Sequence, residues 1–149
     1  MCREGAAQLM AYKNVLAEHD ISLVAIAKER LGLEEFVRDH WTEDVYFDGD
    51  AIPGPIFEIN DAGSYKWAGV ASYLFRGAVY TNHHRAKKAG FKGNVEGEGT
   101  YLGGVYVIHP KVGIIYHHIE KVWGDHPPEM ELKIAVQKLV ELRRSDGKL

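Results

Sequence analysis

Apolar residues recur along the chain at the three- and four-residue spacing of amphipathic helices. This spacing predicts a helix over residues 3–18, a second over 33–40 and a long closing helix that starts at Pro127 and Pro128. Proline suits the first turn of a helix, where its missing N–H would have no partner. The buried stripe of the closing helix is expected to consist of Leu132, Ala135, Val136, Leu139 and Leu142.

Short apolar runs predict four strands. Residues 22–27 form a continuous run typical of a strand buried on both faces, and residues 44–48 form a second short strand. Residues 105–108 and 113–118 predict an antiparallel hairpin, with 109–112 as the turn.

Glycine and proline mark the connections. The Pro-Gly-Pro sequence at 53–55 predicts a loop, and six glycines within 90–104 predict a flexible or tightly turned connection. The segment 61–88 between them is helical by elimination. The order of helix, strand, helix, strand, helix, hairpin and helix predicts one α/β domain over 1–149, with a mixed sheet covered by helices on both faces.

Composition fits a globular domain and excludes some partners. The 149 residues are 46% hydrophobic and 26% charged, and the net charge of −3 provides no general attraction to nucleic acid or to a membrane. No apolar run approaches the ~20 residues that a membrane-spanning helix needs. A single cysteine excludes an intrachain disulfide, so we expect a reducing compartment, by default the cytoplasm.

Charge is distributed unevenly. No acidic residue lies between Asp61 and Glu96, and that stretch carries a charge of +6, interleaved with aromatic residues. Its cations are Lys66, Arg76, Arg85, Lys87, Lys88 and Lys92. The segment is either a solvated basic face beside packed aromatic side chains or a site that attracts an anion such as a carboxylate substrate.

Cys2 is the candidate catalytic residue, because it opens the first predicted helix. Free backbone N–H groups and the helix dipole stabilise a thiolate at this position, and Arg3 adds a neighbouring cation. Together they can lower the pKa of a thiol from its usual ~8.5, and a thiolate attacks peroxides and disulfides. The alternative is a terminal cysteine without a role.

Several segments resemble the peroxiredoxin-like 2 family, which includes the selenoprotein U proteins and prostamide/prostaglandin F synthase. The similarity runs in order along almost the whole chain. It is carried by CREGAAQL at 2–9, LVAI at 23–26, LGLEEF at 31–36, GNVEGEGTYLGGV at 93–105 and HIEKVWGD at 118–125.

The resemblance implies a thioredoxin-like (peroxiredoxin-like) fold with a Cys-x-x-Cys-Arg motif, or with selenocysteine at the first position. Cys2 and Arg3 match the second cysteine and the arginine. The first redox residue would then lie two positions before Met1, and we expect an amino-terminally incomplete domain that lacks the preceding strands and helix. An upstream selenocysteine codon interpreted as a stop would explain a start at an internal methionine.

The implied activity is that of a thiol oxidoreductase with antioxidant or redox-regulatory function. The upstream residue would attack a peroxide or lipid peroxide, Cys2 would resolve the product, and thioredoxin or glutathione would act as external reductant, without a bound cofactor. Gly103 and Gly104 stand where ordinary thioredoxins carry a cis-proline, which fits the peroxiredoxin-like branch.

Two alternatives stay open. One is reduction of a prostaglandin endoperoxide, with the basic and aromatic segment 66–92 holding a fatty carboxylate. The other is a non-catalytic redox-regulatory module that binds a protein partner.

Other motifs give little support to further functions. His117 and His118 are adjacent on a strand and therefore point to opposite faces, so we expect no metal site there or at His83 and His84. The glycines of 97–103 miss the dinucleotide-binding spacing. The serines lack the G-x-S-x-G context of a hydrolase.

Overall fold

The computed structural model describes residues 2–27, 30–47, 77–91 and 102–146. Five helices and four strands lie in these ranges: α1 Cys2–Met10, α2 Lys13–Ala17, β1 Val24–Ala27, α3 Leu33–His40, β2 Asp44–Phe47, α4 Gly77–Lys88, β3 Gly104–His109, β4 Gly113–Ile119 and α5 Glu129–Asp146. The predicted loop at 53–55, the first part of the helix predicted over 61–88, and most of the glycine-rich connection lie outside the described residues.

The first predicted helix is interrupted. The prediction of one helix over 3–18 is wrong, because α1 and α2 are separated by a turn at Ala11 and Tyr12. The Tyr12 N–H donates to the carbonyl of Leu9 at 3.0 Å, a three-residue bond that tightens the chain at this point. The turn allows both Tyr12 and Leu16 to pack into the core.

A parallel strand pair follows, with α3 as the crossover. β1 and β2 pair in register from Val24 with Asp44 to Ala27 with Phe47. The boundaries predicted for α3 are confirmed. The expectation that the first strand is buried on both faces is wrong, since Val24 is 45% exposed and the rest of β1 is half-buried. Within the described residues, β1 pairs with β2 alone.

The predicted hairpin is confirmed. β3 and β4 pair antiparallel, with Val107 opposite Tyr116 and an irregularity between Val107 and Ile108. The turn ends at Gly113, whose φ of +87° suits glycine because it lacks a Cβ. The buried His109 ring accepts the backbone N–H groups of Lys111 and Val112 at Nδ1, both at 3.3 Å, and so supports the turn from inside.

The core lies between α5 and the hairpin. Its buried residues are Leu16, Val107, Leu132, Ala135, Val136 and Leu139. Four of the five residues predicted for the stripe of α5 are buried, whereas Leu142 is half-buried and Val140 is buried in its place. Leu142 and Val140 flank the stripe on opposite sides, and the helix is turned toward Val140.

The described strands form two separate pairs, with α5 packed on the hairpin. Mixed α/β structure is thus confirmed, while a single sheet covered on both faces, a single domain and missing preceding strands stay predictions. No helix in the described ranges is both long and apolar enough to cross a membrane.

Candidate functional site

Cys2 is the first residue of α1, so the predicted position at a helix start is present in the backbone. The neighbouring Arg3 is largely buried, and its guanidinium donates to both carboxylate oxygens of Glu35 on α3, at 3.1 and 2.8 Å. The Arg3 charge, which we expected to favour the thiolate, is therefore matched by an anion. The fork of two hydrogen bonds also fixes α1 against α3.

Four charged or titratable side chains, which we call the first-turn cluster, meet beside the start of α1. They are Glu4, Arg85, Glu120 and His126. Their residues come from α1, from α4 and from the connection between β4 and α5.

Glu4 and Arg85 form the outer part of the first-turn cluster. The Arg85 Nε and Nη2 donate to the two Glu4 oxygens at 2.7 and 3.2 Å, and Nη2 also donates to the Gly124 carbonyl at 2.7 Å. Burial acts to raise the pKa of Glu4, but the hydrogen bond and charge of Arg85, with help from His126, outweigh it, so the pKa lies below its usual value. Glu4 is therefore ionised at neutral pH.

His126 forms the inner part. Its Nε2 lies 3.3 Å from Glu4 Oε2, and its Nδ1 lies 3.8 Å from Glu120 Oε1. The side chain is 12% exposed, and burial is the main reason that its pKa is lowered; Arg85 acts in the same direction, whereas Glu4 opposes both. A Cβ added to Gly5 would lie 3.1 Å from Nδ1, so the ring approaches α1 closely where a side chain is absent.

Glu120 closes the cluster from the hairpin side. Its Oε2 accepts the Gly103 N–H at 3.1 Å, and its own N–H donates to the Gly103 carbonyl at 3.0 Å. Burial raises the pKa of Glu120, and nearby Asp125 adds to the effect, although the bond from Gly103 opposes it. The carboxyl group thus holds a proton more firmly than an exposed glutamate does.

The paired histidines occupy different surroundings. His117 is exposed and its ring stacks with Tyr106 at a centroid distance of 6.1 Å, whereas His118 Nε2 lies 3.1 Å from the Asp125 carbonyl oxygen. His84 is exposed on α4 beside Tyr80. Within the described ranges, no three His, Cys, Asp or Glu side chains are grouped as a metal site.

Of the basic segment between Asp61 and Glu96, the structure describes residues 77–91. Arg85, Lys87 and Lys88 lie on α4, and with Thr81 and His84 they line an open groove of about 600 Å³. Residues 61–76 and Lys92 lie outside the described residues. Arg85 is engaged by Glu4, which leaves Lys87 and Lys88 as exposed cations of this groove.

The sequence predicts a site at Cys2 and Arg3, which stays a prediction, and it does not predict the first-turn cluster. Glu4 and Glu120 lie within the segments that carry the family resemblance, and this position could have indicated them as candidate site residues. His126 precedes Pro127 without a recognisable motif, and only the fold brings it to α1.

Comparison with known proteins identifies the family to which the chain belongs. The family model described as "AhpC/TSA antioxidant enzyme" matches residues 8–122. Peroxiredoxin-like 2A of Gallus gallus is 38% identical over 140 residues, which cover 93% of this chain and 59% of the relative. The Danio rerio protein of that name is 34% identical over 94% of this chain and 63% of the relative. The Homo sapiens protein is 36% identical over 84% of this chain and 52% of the relative.

The chain therefore spans between about half and two-thirds of the length of these relatives. No solved structure gives a significant match.

Proposed function

Because the chain belongs to the AhpC/TSA antioxidant enzyme family, as a peroxiredoxin-like member, we propose that it reduces peroxides or disulfides through Cys2. The observation that carries this proposal is the position of Cys2 as the first residue of α1 in a member of this family. Unpaired backbone N–H groups at a helix start favour the thiolate, which is the nucleophilic form.

The proposed cycle needs a second redox residue, a cysteine or selenocysteine two positions before Met1. That residue attacks the peroxide, the O–O bond breaks, and water or an alcohol leaves while a sulfenic or selenenic acid forms. The Cys2 thiolate then bonds to that sulfur or selenium and releases hydroxide, which takes up a proton. Thioredoxin or glutathione supplies two electrons and reopens the bond.

Two measurements test this function. In the 149-residue chain, we expect peroxide followed by glutathione to give a mixed disulfide at Cys2, with little catalytic turnover. A chain extended by the residues encoded upstream should consume peroxide in a thioredoxin-coupled assay, and Cys2→Ser should abolish the activity. Robust turnover that survives Cys2→Ser would overturn the proposal. Retained capture of a protein partner by Cys2→Ser, without turnover, would instead favour a non-catalytic binding module.

The upstream codons test the second residue separately. We expect TGA or a cysteine codon two positions before Met1, in frame. A different in-frame stop codon at that position would rule out the proposed pair.

A second candidate is reduction of a lipid endoperoxide, which is favoured by the exposed Lys87 and Lys88 in the groove on α4. Ammonium groups there could bind the carboxylate of a fatty substrate. Turnover of a prostaglandin endoperoxide, compared with hydrogen peroxide, separates the two activities. Changing both lysines to glutamine should raise KM for the endoperoxide and leave the KM for hydrogen peroxide unchanged.

A further inference from the structure

We propose that Glu120 keeps its carboxyl proton at neutral pH and directs it toward His126, so that a rise in pH loosens the contact between α1 and the connection that leads from β4 to α5. This proton-dependent contact lies within the first-turn cluster. It is independent of the redox role proposed for Cys2, because it involves only the side chains of Glu4, Glu120 and His126.

The two ring nitrogens of His126 each face a glutamate from a different segment. Nε2 lies 3.3 Å from Glu4 Oε2 on α1, and Nδ1 lies 3.8 Å from Glu120 Oε1, just after β4. A neutral imidazole carries one N–H, so it can donate to only one of these oxygens, while its other nitrogen presents a lone pair. If both glutamates were ionised, one of the two contacts would bring that lone pair against a carboxylate.

The hydrogen bonds of Glu120 indicate which oxygen carries the proton that removes this conflict. Oε2 accepts the Gly103 N–H at 3.1 Å, which leaves Oε1, the oxygen that faces Nδ1, to hold the proton. A protonated Oε1 donates toward Nδ1 of His126, and the single ring N–H is then on Nε2, where it is directed toward Glu4. Both contacts of the ring are attractive in this arrangement.

The surroundings of the pair favour a neutral carboxyl group beside a neutral ring. Burial raises the pKa of Glu120, and Asp125 adds to this effect. Burial lowers the pKa of His126, and Arg85 acts in the same direction. The proton therefore stays on the carboxyl group rather than on the ring. Three other charges act on the pair without reversing these directions, those of His118, Glu4 and the amino terminus.

Loss of the Glu120 proton makes two carboxylates compete for one ring N–H. A ring that donates to Glu120 turns the Nε2 lone pair toward Glu4, and a ring that donates to Glu4 turns the Nδ1 lone pair toward Glu120. In either case the ring loses one of its two attachments, so its contact with Gly5 of α1 loosens. Gln8 also joins α1 to the connection, by a bond to the Pro127 carbonyl at 3.0 Å that does not titrate. The opening is therefore local.

Nuclear magnetic resonance of the 149-residue chain tests this inference, by following the Glu120 carboxyl carbon and the His126 ring nitrogens from pH 4 to pH 9. We expect Glu120 to ionise above the ordinary glutamate range, and the ring nitrogens to shift at the same midpoint, because the ring changes its partner there. Across that midpoint, the protection of α1 amides from hydrogen exchange should fall by about tenfold, the effect of one lost hydrogen bond.

Glu120→Gln presents an N–H to Nδ1 at every pH. It should therefore abolish this step in the ring-nitrogen shifts and keep the α1 amides protected as pH rises. Glu141→Gln is the matched control, because it removes an exposed carboxylate on α5. Its Glu120 midpoint, ring-nitrogen step and amide protection should equal those of the wild-type protein.

Two results in the wild-type protein would each overturn the inference, so the test does not depend on whether a variant folds. One is a Glu120 midpoint in the ordinary glutamate range, about 4.3. The other is a raised Glu120 midpoint at which the His126 nitrogens do not shift, which would show a buried carboxyl group without a link to the ring. No peroxide turnover is measured, so this inference and the proposed redox activity can fail independently.

Discussion

Arg85 on α4 binds the carboxylate of Glu4 on α1 with two hydrogen bonds, of 2.7 and 3.2 Å, although the two residues are 81 positions apart. The same guanidinium donates to the Gly124 carbonyl at 2.7 Å. One side chain thus joins α1, α4 and the connection before α5, which are the three segments that build the first-turn cluster.

Replacing Arg85 should loosen this junction. We expect Arg85→Ala to lower the free energy of unfolding by about 1 kcal/mol, because half-exposed ion pairs contribute little while hydrogen bonds to charged groups contribute more. Lys87→Ala on the same helix removes an exposed cation and should change stability by less than about 0.5 kcal/mol. Urea unfolding of both variants measures the difference, and equal midpoints would contradict the expectation.

Gly103 and Gly104 should respond differently to the addition of one methyl group. A Cβ at Gly104 would lie 2.9 Å from the His118 carbonyl oxygen, so the paired strands would have to move apart. A Cβ at Gly103 would meet the Glu120 carboxyl group at 3.7 Å, an ordinary contact. We expect Gly104→Ala to cost about 1–3 kcal/mol and Gly103→Ala to cost less than about 0.5 kcal/mol. Thermal unfolding checks both, and a tolerated Gly104→Ala would show that β3 and β4 are less tightly paired.

Glu120 and Glu4 should affect stability in opposite directions as pH rises. The pKa of Glu120 is raised, mainly by burial, so the folded state binds its proton more tightly than the unfolded chain does. Stability is therefore lost as pH rises from the ordinary glutamate range through the raised pKa. Glu120→Gln removes the titrating group. The free energy of unfolding of this variant, relative to that of the wild-type protein, should therefore be higher at pH 8 than at pH 4.

Glu4 provides the contrast within the same cluster. The pKa of Glu4 is lowered because Arg85 and His126 outweigh burial. Its contribution to the stability of the folded state is therefore present above the ordinary glutamate pKa and is lost as pH falls through the lowered pKa. Glu4→Gln should therefore lower the free energy of unfolding more at pH 8 than at pH 4. Urea unfolding curves of both variants and of the wild-type protein at pH 4 and pH 8 give the two changes in the free energy of unfolding. If both variants changed in the same direction between the two pH values, the opposite pKa shifts of Glu4 and Glu120 would be contradicted.

Local patterns predicted the elements whose boundaries depend on local chemistry. The boundaries of α3 at Leu33–His40 matched, because a compact apolar pattern and acidic residues in the first turn define it. The predicted hairpin agrees with the structure because two apolar runs flank a short turn that contains Pro110. The break between α1 and α2 depends instead on Tyr12 and Leu16 packing into a core formed with the distant α5, which no local pattern contains.

The candidate site divides in the same way. Cys2 and Arg3 are adjacent in sequence, so their position at a helix start could be predicted, whereas the pairing of Arg3 with Glu35 depends on how α3 packs against α1. Arg85 and His126 reach α1 from distant segments, so their contacts with Glu4 depend on the tertiary arrangement.

The core between α5 and the hairpin should determine most of the stability. Leu132 is 1% exposed and packs with Leu16 and Val107, so Leu132→Ala leaves a cavity that the surrounding helix and strands cannot fill. We expect a loss of about 2–5 kcal/mol, the range for truncating a buried leucine. Ile134→Ala removes an aliphatic side chain that is 56% exposed on the same helix and should cost less than about 0.5 kcal/mol. Equal losses in urea unfolding would mean that Ile134 is covered in solution and that the packing of α5 differs from the arrangement described above.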